Sequence, residues 1–452
     1  MNTFLQPLQS LAEMEEIQKQ AKKNRGILEI SGCMESQKAH LMYGLSGLFP
    51  CHLIITADEK SAKEIYEDYR FYDKQVYYYP AKDLLFFQAD IHGNLLIRQR
   101  MCVIKALLEQ KEDITVVTSI DGCMDYLQPL DKIEKQLIHF RNDSTLDMDK
   151  LKDALVHMGY ERVGQVEMPG QFSVRGGIVD IYSLTEENPW RIELWGDEID
   201  SIRSFDAQSQ RSLENLDDIT IYPAAEQPME KNGVSFLDYF EEKETLIFLD
   251  ELNHLEENAK AVQEEFQLSC QNRKEKGETV LSGDWMCTWE ELCHKLNNRN
   301  CVAMSLLDPK KSSWKISEQF NITVKSMSSY QSSFELLVKD LKQYKKEGYQ
   351  IVVLSGSRTR AERLAKDLQE QGLNAFYGQN SDRILQAGEI MVAYGHARKG
   401  FEYPLVKFAV ITETDIFGKE QKKRKKKKEY NGRRIQDFSE LSIGDYVVHE
   451  KH

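Results

Sequence analysis

Long apolar runs are missing from this 452-residue sequence. No stretch approaches the roughly 20 apolar residues that a membrane-spanning helix requires. The N-terminal segment MNTFLQPLQSLAEMEEIQKQAKKNRG is polar and helical in pattern, and it lacks both the apolar core and the small-residue cleavage site of a signal peptide. Because hydrophobic residues still make up 41% of the chain and aromatic residues 10%, the composition predicts a globular, cytoplasmic protein with no membrane partner.

Residue patterns of metal and catalytic sites are missing too. The eight cysteines are scattered, with neither a C-x-x-C pair nor a neighbouring pair of histidines, which predicts buried thiols rather than metal ligands or disulfides. The ten histidines have no ligand spacing, and no H-E-x-x-H, Ser-His-Asp or paired-acid pattern stands out. We therefore predict no catalytic residue and no metal site.

Acidic residues outnumber basic ones over most of the chain. The formal net charge is −14, yet residues 419–452 carry 11 basic and 6 acidic residues, a net +5, so residues 1–418 sum to −19. Binding to a phosphate backbone depends on lysine and arginine displacing counterions. So acidic a body favours protein partners over nucleic acid.

Two kinds of pattern divide the first 325 residues. Over residues 1–130, apolar runs such as ILEIS, HLIITA and ITVVTS alternate with helical stretches, which predicts βαβ units on a largely parallel sheet. Residues 131–225 are dense in period-two alternation and turn residues, which predicts antiparallel strands. Strand and helix patterns resume with TLIFLDE. We therefore predict an α/β domain formed by residues 1–130 and 226–325, with a β-rich α+β domain inserted into it.

The rest of the chain changes character twice. Residues 326–418 contain YQIVVLSGSRTRAERLAKDLQEQGL and FAVITETDIFG, which predict a second, small α/β domain. Residues 419–437 hold the charge run KEQKKRKKKKEYNGRR, interpreted as a solvated linker, with a nuclear-localisation signal or a transient nucleic-acid contact as alternatives. Residues 438–452 resemble the first strand of another domain, which cannot close on one strand. We expect the chain to be a piece of a longer protein.

The segment ILEISGCMESQKAHL contains a phosphate-binding loop with two residues changed. An apolar strand runs into Gly32, and Lys38 stands where the lysine of G-x-x-x-x-G-K-[ST] would stand. Gln37 replaces the glycine that lets the backbone approach phosphate, and Ala39 replaces the hydroxyl that binds Mg²⁺. Lys38 then supplies charge without a cradle, as a relic of the loop.

The usual complement of such a loop is an acidic residue at the end of an apolar strand. LIFLDE offers Asp250 to hold Mg²⁺ and Glu251 to activate water. The same pattern arises wherever a buried strand meets a polar loop. We predict that this degenerate P-loop is inactive and that its helix simply packs on the sheet.

The inserted domain carries a better functional signal. Alternation in the strand RIELW places Arg191, Glu193 and Trp195 on one face, with the intervening apolar residues toward the core. Alternation in QFSVRGG points Arg175 outward, toward the same surface. Exposed tryptophan and arginine have the composition of a protein-binding hot spot. The alternative is a tryptophan that covers a neighbouring strand.

These segments resemble a known family. MPGQFSVRGGIVDIYSL, RIELWGDEIDSIRSFDAQSQRSL and IYPAAE resemble the damage-repair module shared by UvrB and the bacterial transcription-repair coupling factors (Mfd). SGSRTRAERLAKDL, YGHARKGFEYPLVKFAVITETDIFG, the basic run and FSELSIGDYVVHEKH are similar to coupling factors alone. AKDLLFFQADIHGNLLIRQRM follows YYYP directly, where UvrB has a long aromatic hairpin. The resemblance is therefore to the N-terminal portion of the coupling factors.

The resemblance implies a fold and a set of partners. It implies a UvrB-like first α/β domain that has lost its ATPase residues and an inserted domain that binds UvrA. The family's UvrA-contacting residues fall on Arg175, Arg191 and Trp195, although phenylalanine is frequent at the last position. It further implies RNA polymerase as a partner of the domain that opens at residues 438–452, and DNA as the partner of a motor beyond residue 452. ATP and Mg²⁺ would be cofactors of that motor alone.

Two hypotheses of function follow. The preferred one is an adaptor that recruits UvrA to stalled RNA polymerase in transcription-coupled nucleotide excision repair. The full-length protein would be an ATP-dependent DNA translocase, a helicase-like hydrolase that displaces the polymerase, while this portion is not an enzyme. The alternative is a self-contained UvrB-like ATP-dependent DNA repair enzyme, which requires nucleotide to bind at Lys38 and Asp250.

Overall fold

The structure is a computed structural model, and it describes residues 2–23, 26–82, 94–109, 113–142, 144–226, 233–275, 286–307, 314–378 and 382–418. The described residues belong to one unit, which spans residues 1–418. The predicted linker and the strand after it therefore lie outside the described residues, as does most of the stretch that follows YYYP. None of the helices in the described ranges combines the length and apolar character needed to cross a bilayer.

The first sheet has seven strands, all parallel to their neighbours. In spatial order they are Ile316–Asn321, Gly26–Ser31, Asn300–Ser305, Thr245–Asp250, Cys51–Thr56, Ile114–Ser119 and Val76–Tyr79. Two strands from beyond residue 240 thus lie between the first two strands of the chain. The residues on either side of the β-rich segment therefore complete one sheet.

Helices cover both faces of this sheet, which explains why its strands read as nearly continuous apolar runs. In the first strand Ile27 faces one core, whereas Leu28 and Ile30 face the other. The helices are Asn2–Gln9, Met14–Lys23, Glu35–Ser46, Glu59–Tyr72, Asn94–Leu108, Ile120–Met124, Leu130–Glu134, Leu252–Glu275 and Trp289–Leu296. A 3-10 helix, Phe236–Tyr239, and the paired short strands Tyr126–Leu127 and Val234–Ser235 complete this part.

The inserted segment forms a separate sheet with its own core. Its six strands are, in spatial order, Ser212–Leu216, Glu198–Phe205, Trp190–Trp195, Ile178–Ile181, Gln171–Arg175 and Glu161–Arg162. All neighbours are antiparallel except the last pair. The helix Met148–His157 and the antiparallel pair Ile138–Arg141 and Asp218–Ile221 accompany it. The prediction of an α/β protein with a separate β-rich domain is confirmed.

The third sheet combines parallel and antiparallel pairs. Its strands are Lys325–Ser326, Phe401–Tyr403, Phe408–Thr412, Gln350–Ser355, Glu389–Tyr394 and Asn374–Gly378, the last four mutually parallel. Its helices are Phe334–Glu347, Arg358–Glu370 and Glu413–Phe417. The first of them is capped by the Ser333 hydroxyl and ends at Gly348, whose φ of +79° suits glycine.

The first and third sheets share one hydrophobic core. His40 lies in it, stacked on Phe401 at 5.3 Å, with its Nε2 2.8 Å from the Phe4 carbonyl. At the border of this core the Arg398 Nε donates to the Asp68 Oδ2 at 3.0 Å, and its Nη1 pairs with Glu64. The two α/β parts are therefore packed as a single body.

Candidate functional site

Two neighbouring hairpin turns place Arg175 and Trp195 at one end of the inserted sheet, while Arg191 lies four residues before Trp195 in the same strand. The first turn follows Arg175 through Gly176, whose φ is +61°, and the second follows Trp195 through Gly196, whose φ is +63°. The strands between them are paired so that the Leu194 amide donates to the Gly177 carbonyl at 2.8 Å. Both turns therefore lie at the same end of the sheet.

A buried aspartate joins the two predicted arginines. The Arg191 Nε and Nη2 donate to Asp180 Oδ1 and Oδ2 at 2.7 and 2.9 Å, in the bidentate geometry that suits guanidinium and carboxylate. The Arg175 Nη2 donates to the same Oδ2 at 2.6 Å. Asp180 itself is fully buried. The structure thus places Arg175 and Arg191 together, with one carboxylate between two guanidinium groups.

Arg191 is the more rigid of the two arginines. Its side chain is 15% exposed, against 48% for Arg175. Its guanidinium carbon lies 4.4 Å from the ring centroid of Phe205, and its Nη2 also donates to Gln210 Oε1 at 3.2 Å. The hydrogen bond to Asp180 raises the pKa of Arg191 above its ordinary value. Arg191 is therefore fixed and charged, whereas Arg175 presents its group to solvent.

Trp195 is 83% exposed, which is the highest exposure among the large hydrophobic residues of the described chain. An indole that covered a neighbouring strand would be mostly buried, so that interpretation does not describe this residue. Leu194 packs against the inserted core and Ile192 is fully buried, as the alternation predicts. Trp195 therefore projects from the end of the strand on the side opposite the core.

Asp180 and Gln210 were not predicted from the sequence. Asp180 stands inside the apolar run GIVDIYS, and a charged residue at that position of a strand signals a buried partner of opposite charge. Gln210 has φ of +59° in the turn before the edge strand, and its amide donates to the Val166 and Ala207 carbonyls. Both residues accept hydrogen bonds from Arg191 and so orient its side chain. Neither is exposed, so neither resembles the residues of a binding hot spot.

The second predicted site is the altered phosphate-binding loop. The Lys38 Nζ lies 2.6 Å from Asp250 Oδ1 and 2.5 Å from Glu251 Oε1, so the structure brings all three residues together. Burial opposes the lysine charge, but the two carboxylates outweigh it and raise the pKa of Lys38. Burial raises the pKa of Asp250, and Lys38 offsets this only in part. Lys38 neutralises a half-buried acidic pair, so it is more than a relic.

The two substituted positions of the loop serve packing. Gln37 is 1% exposed; its Oε1 accepts from the Met34 amide and its Nε2 donates to the Tyr403 hydroxyl, both at 3.0 Å. Ala39 is buried in the core shared with the third sheet. Gly32 has φ of +81°, and a Cβ there would lie 2.1 Å from the Ile322 carbonyl oxygen, so glycine is needed for close packing.

The space beside this loop is small and its charges are paired within the protein. A cavity of about 250 Å³ lies over Lys38, between Cys33, Asp250 and Arg398. Burial raises the pKa of the Cys33 thiol to about 12. Within the described ranges, no group of three or more His, Cys, Asp or Glu side chains is arranged to hold a metal ion. None of the eight cysteines, all of which are described, forms a disulfide.

Comparisons with known proteins connect this architecture to DNA repair. A protein-family model described as the UvrB interaction domain matches residues 138–226, which include the whole six-stranded sheet. The chain is 30% identical to the transcription-repair-coupling factor of Bacillus subtilis (strain 168), over 94% of this chain and 42% of that protein. The predicted resemblance to the transcription-repair coupling factors is confirmed. It is 26% identical to the Staphylococcus haemolyticus protein of the same name and 25% identical to that of Staphylococcus aureus (strain MRSA252), each over 88% of this chain and 39% of the relative.

These matches extend beyond the inserted domain. The similarity covers nearly the whole chain, whereas the chain spans about two fifths of the length of the curated relatives it matches.

Proposed function

We propose that this chain is the adaptor portion of a transcription-repair coupling factor and that its inserted domain recruits UvrA in nucleotide excision repair. The observation that carries the proposal is the arginine pair: the buried Asp180 holds both Arg175 and Arg191, and Trp195 lies in the same strand as Arg191 and at the same end of the sheet as Arg175. In the cytoplasm, this surface would bring UvrA to RNA polymerase stalled at damage.

The chemistry of the surface suits a protein partner with acidic or carbonyl groups. Arg175 gives one N–H to Asp180 and, within the described residues, leaves its other donors without a protein partner. Those donors would form charge-assisted hydrogen bonds with acceptors on UvrA. Trp195 would bury a large apolar surface against the partner, as hot-spot tryptophans do.

The remaining partners belong to the full-length protein. RNA polymerase would bind the domain that opens at residues 438–452, and DNA would bind a motor beyond residue 452. That motor would use ATP and Mg²⁺ to translocate on DNA and displace the polymerase. The portion described here would hydrolyse no ATP, and the internal pairing of Lys38 with Asp250 and Glu251 supports this view.

The adaptor role is tested by titrating UvrA into the 452-residue chain in a calorimeter. The double variant Arg175→Ala, Arg191→Ala should weaken binding, at roughly 1 to 3 kcal/mol or more for each arginine. Trp195→Ala should cost about 2 kcal/mol or more, and it removes no core contact. Arg141→Ala, which removes an exposed arginine of the same domain, is the matched control. Full-strength binding by the double variant and by Trp195→Ala would exclude the adaptor role for this surface.

A further inference from the structure

A second cleft lies on the face of the inserted sheet opposite the arginine pair. Trp190 pairs directly with Ser204, and Ser204 with Glu214, in neighbouring antiparallel strands. Because side chains alternate along a strand, these three residues point away from the face that carries Arg191. All three line a cleft of about 450 Å³ between the sheet and the helix Asn94–Leu108. The inserted domain therefore has two distinct polar surfaces.

The cleft is strongly acidic. Five carboxylates line it, against one lysine: Glu109, Glu186, Glu187, Glu214 and Asp218 against Lys105. Lys105 Nζ lies 2.5 Å from Glu186 and 3.7 Å from Glu109, so its charge is already paired with these two carboxylates. Within the part of the chain that the structure describes, the other three carboxylates form no ion pair. The cleft thus holds an unbalanced negative charge.

A buried hydroxyl in the cleft also lacks a partner. Ser204 is 5% exposed, and its Oγ forms no hydrogen bond within the described structure. A buried polar group left in this state is energetically unfavourable. An N–H group of a ligand placed between Trp190 and Glu214 would satisfy this hydroxyl. Trp190 would add an aromatic surface, which attracts organic cations.

The arrangement favours an organic cation on a long stem over a metal ion. No set of three or more acidic, histidine or cysteine side chains in the described ranges is close enough to hold a metal. The three carboxylates without an ion pair come from separate segments, the loop at Glu187 and the strands at Glu214 and Asp218. A volume of about 450 Å³ falls within the roughly 300–1,000 Å³ of ligand pockets. An extended ligand with more than one cationic group could reach carboxylates on these separate segments.

We propose that this cleft docks a basic peptide segment of a partner protein, with an arginine or lysine side chain reaching Ser204 beside Trp190 and Glu214. The carboxylates of Glu187 and Asp218 would pair with further basic residues of the same segment. The cleft and the arginine pair lie on opposite faces of the sheet, so two partners could be held by one domain. The cleft could bind such a segment whichever partner binds at Arg191.

The test uses the 452-residue chain and the peptide Gly-Arg-Gly-Arg-Gly-amide, labelled with fluorescein at its N-terminus, and follows fluorescence anisotropy at moderate salt. Glu214→Gln, Asp218→Asn should weaken peptide binding by about tenfold, because it removes two partners of the ligand charge. The matched control, Glu161→Gln, Glu167→Gln, removes two exposed charges of the same domain outside the cleft, and it should change binding by less than about twofold. Ser204→Ala should also weaken binding, with the thermal midpoint showing that the variant is folded.

Four results would overturn the proposal. Equal weakening in the cleft variant and the control would mean diffuse attraction to an acidic body. Failure of the wild-type chain to bind at about 1 mM peptide would mean no useful affinity. Displacement of the peptide by an equal concentration of arginine amide would mean a site for a small cation only. Displacement by Mg²⁺ that the cleft variant abolishes would mean a metal site.

Discussion

Replacing Lys38 by methionine separates a structural role for the altered loop from a nucleotide-binding one. Lys38 is the cation between Asp250 and Glu251, whose side chains are 13% and 26% exposed. Removing one partner of a fully buried pair costs about 3–5 kcal/mol. Since both carboxylates keep some contact with water, we expect a loss of about 2–4 kcal/mol in the free energy of unfolding.

The pH dependence of this loss supplies a second check. Burial already holds the pKa of Asp250 above its ordinary value, and removing Lys38 would raise it further. A carboxyl whose pKa is higher in the folded state is penalised as the pH rises and the group ionises. The stability deficit of Lys38→Met should therefore be largest near neutral pH and shrink as the pH falls toward that pKa.

Differential scanning calorimetry of the wild-type chain and the variant measures both effects. Each kcal/mol corresponds to roughly 2–4 °C in a domain of 150–250 residues. Lys60→Met is the matched control, because the Lys60 side chain is 84% exposed and its substitution should stay within about 0.5 kcal/mol. An unchanged midpoint for Lys38→Met, together with a loss of ATP binding, would refute the structural role and restore a nucleotide site.

Three further predictions concern other buried charges. Asp180 is fully buried, yet Asp180→Asn should weaken UvrA binding by about tenfold, because Arg191 loses its bidentate partner. Calorimetric titration measures this, with the exposed Asp200→Asn as the control. Arg398→Ala should lower the free energy of unfolding by about 2–4 kcal/mol, because it leaves the buried Asp68 without its ion-pair partner. Lys399→Ala should have no such effect, and equal thermal midpoints for the two variants would contradict this prediction. Burial lowers the pKa of His40 to about 4, so the unfolded chain binds a proton on this imidazole at a higher pH than the folded chain does. The free energy of unfolding should therefore decrease as the pH is lowered from 6.5 to about 4, and an NMR titration of the imidazole checks the pKa.

The two kinds of sheet could be predicted from the sequence because strands buried on both faces and strands buried on one face have different residue patterns. The apolar runs at residues 27–30 and 246–249 are covered on both faces, and the antiparallel strand Trp190–Trp195 alternates. Strand order could not be predicted. The strands Thr245–Asp250 and Asn300–Ser305 lie between strands that are close in sequence, and such pairing depends on contacts between residues far apart along the chain.

The candidate sites, too, could be predicted only in part from the sequence. Local alternation was enough to place Arg191 and Trp195 on an outer face. It could not show that Asp180 joins Arg191 to Arg175, because the strand register decides which residues are neighbours. It also could not show the bond from Gln37 to Tyr403, which joins positions 366 residues apart. That Gln37 is incompatible with a phosphate cradle stays a prediction, and its contact with the third sheet depended on tertiary packing.

We propose that the working surface of this chain lies on the inserted sheet, at Arg175, Arg191 and Trp195, and not at the altered loop. Hydrogen exchange of the chain with and without UvrA tests it most directly. UvrA should slow exchange in residues 171–181 and 190–199 and leave residues 32–39 and 245–251 unchanged. Slower exchange at the loop and the strand before Glu251, with no change in the inserted sheet, would contradict the claim.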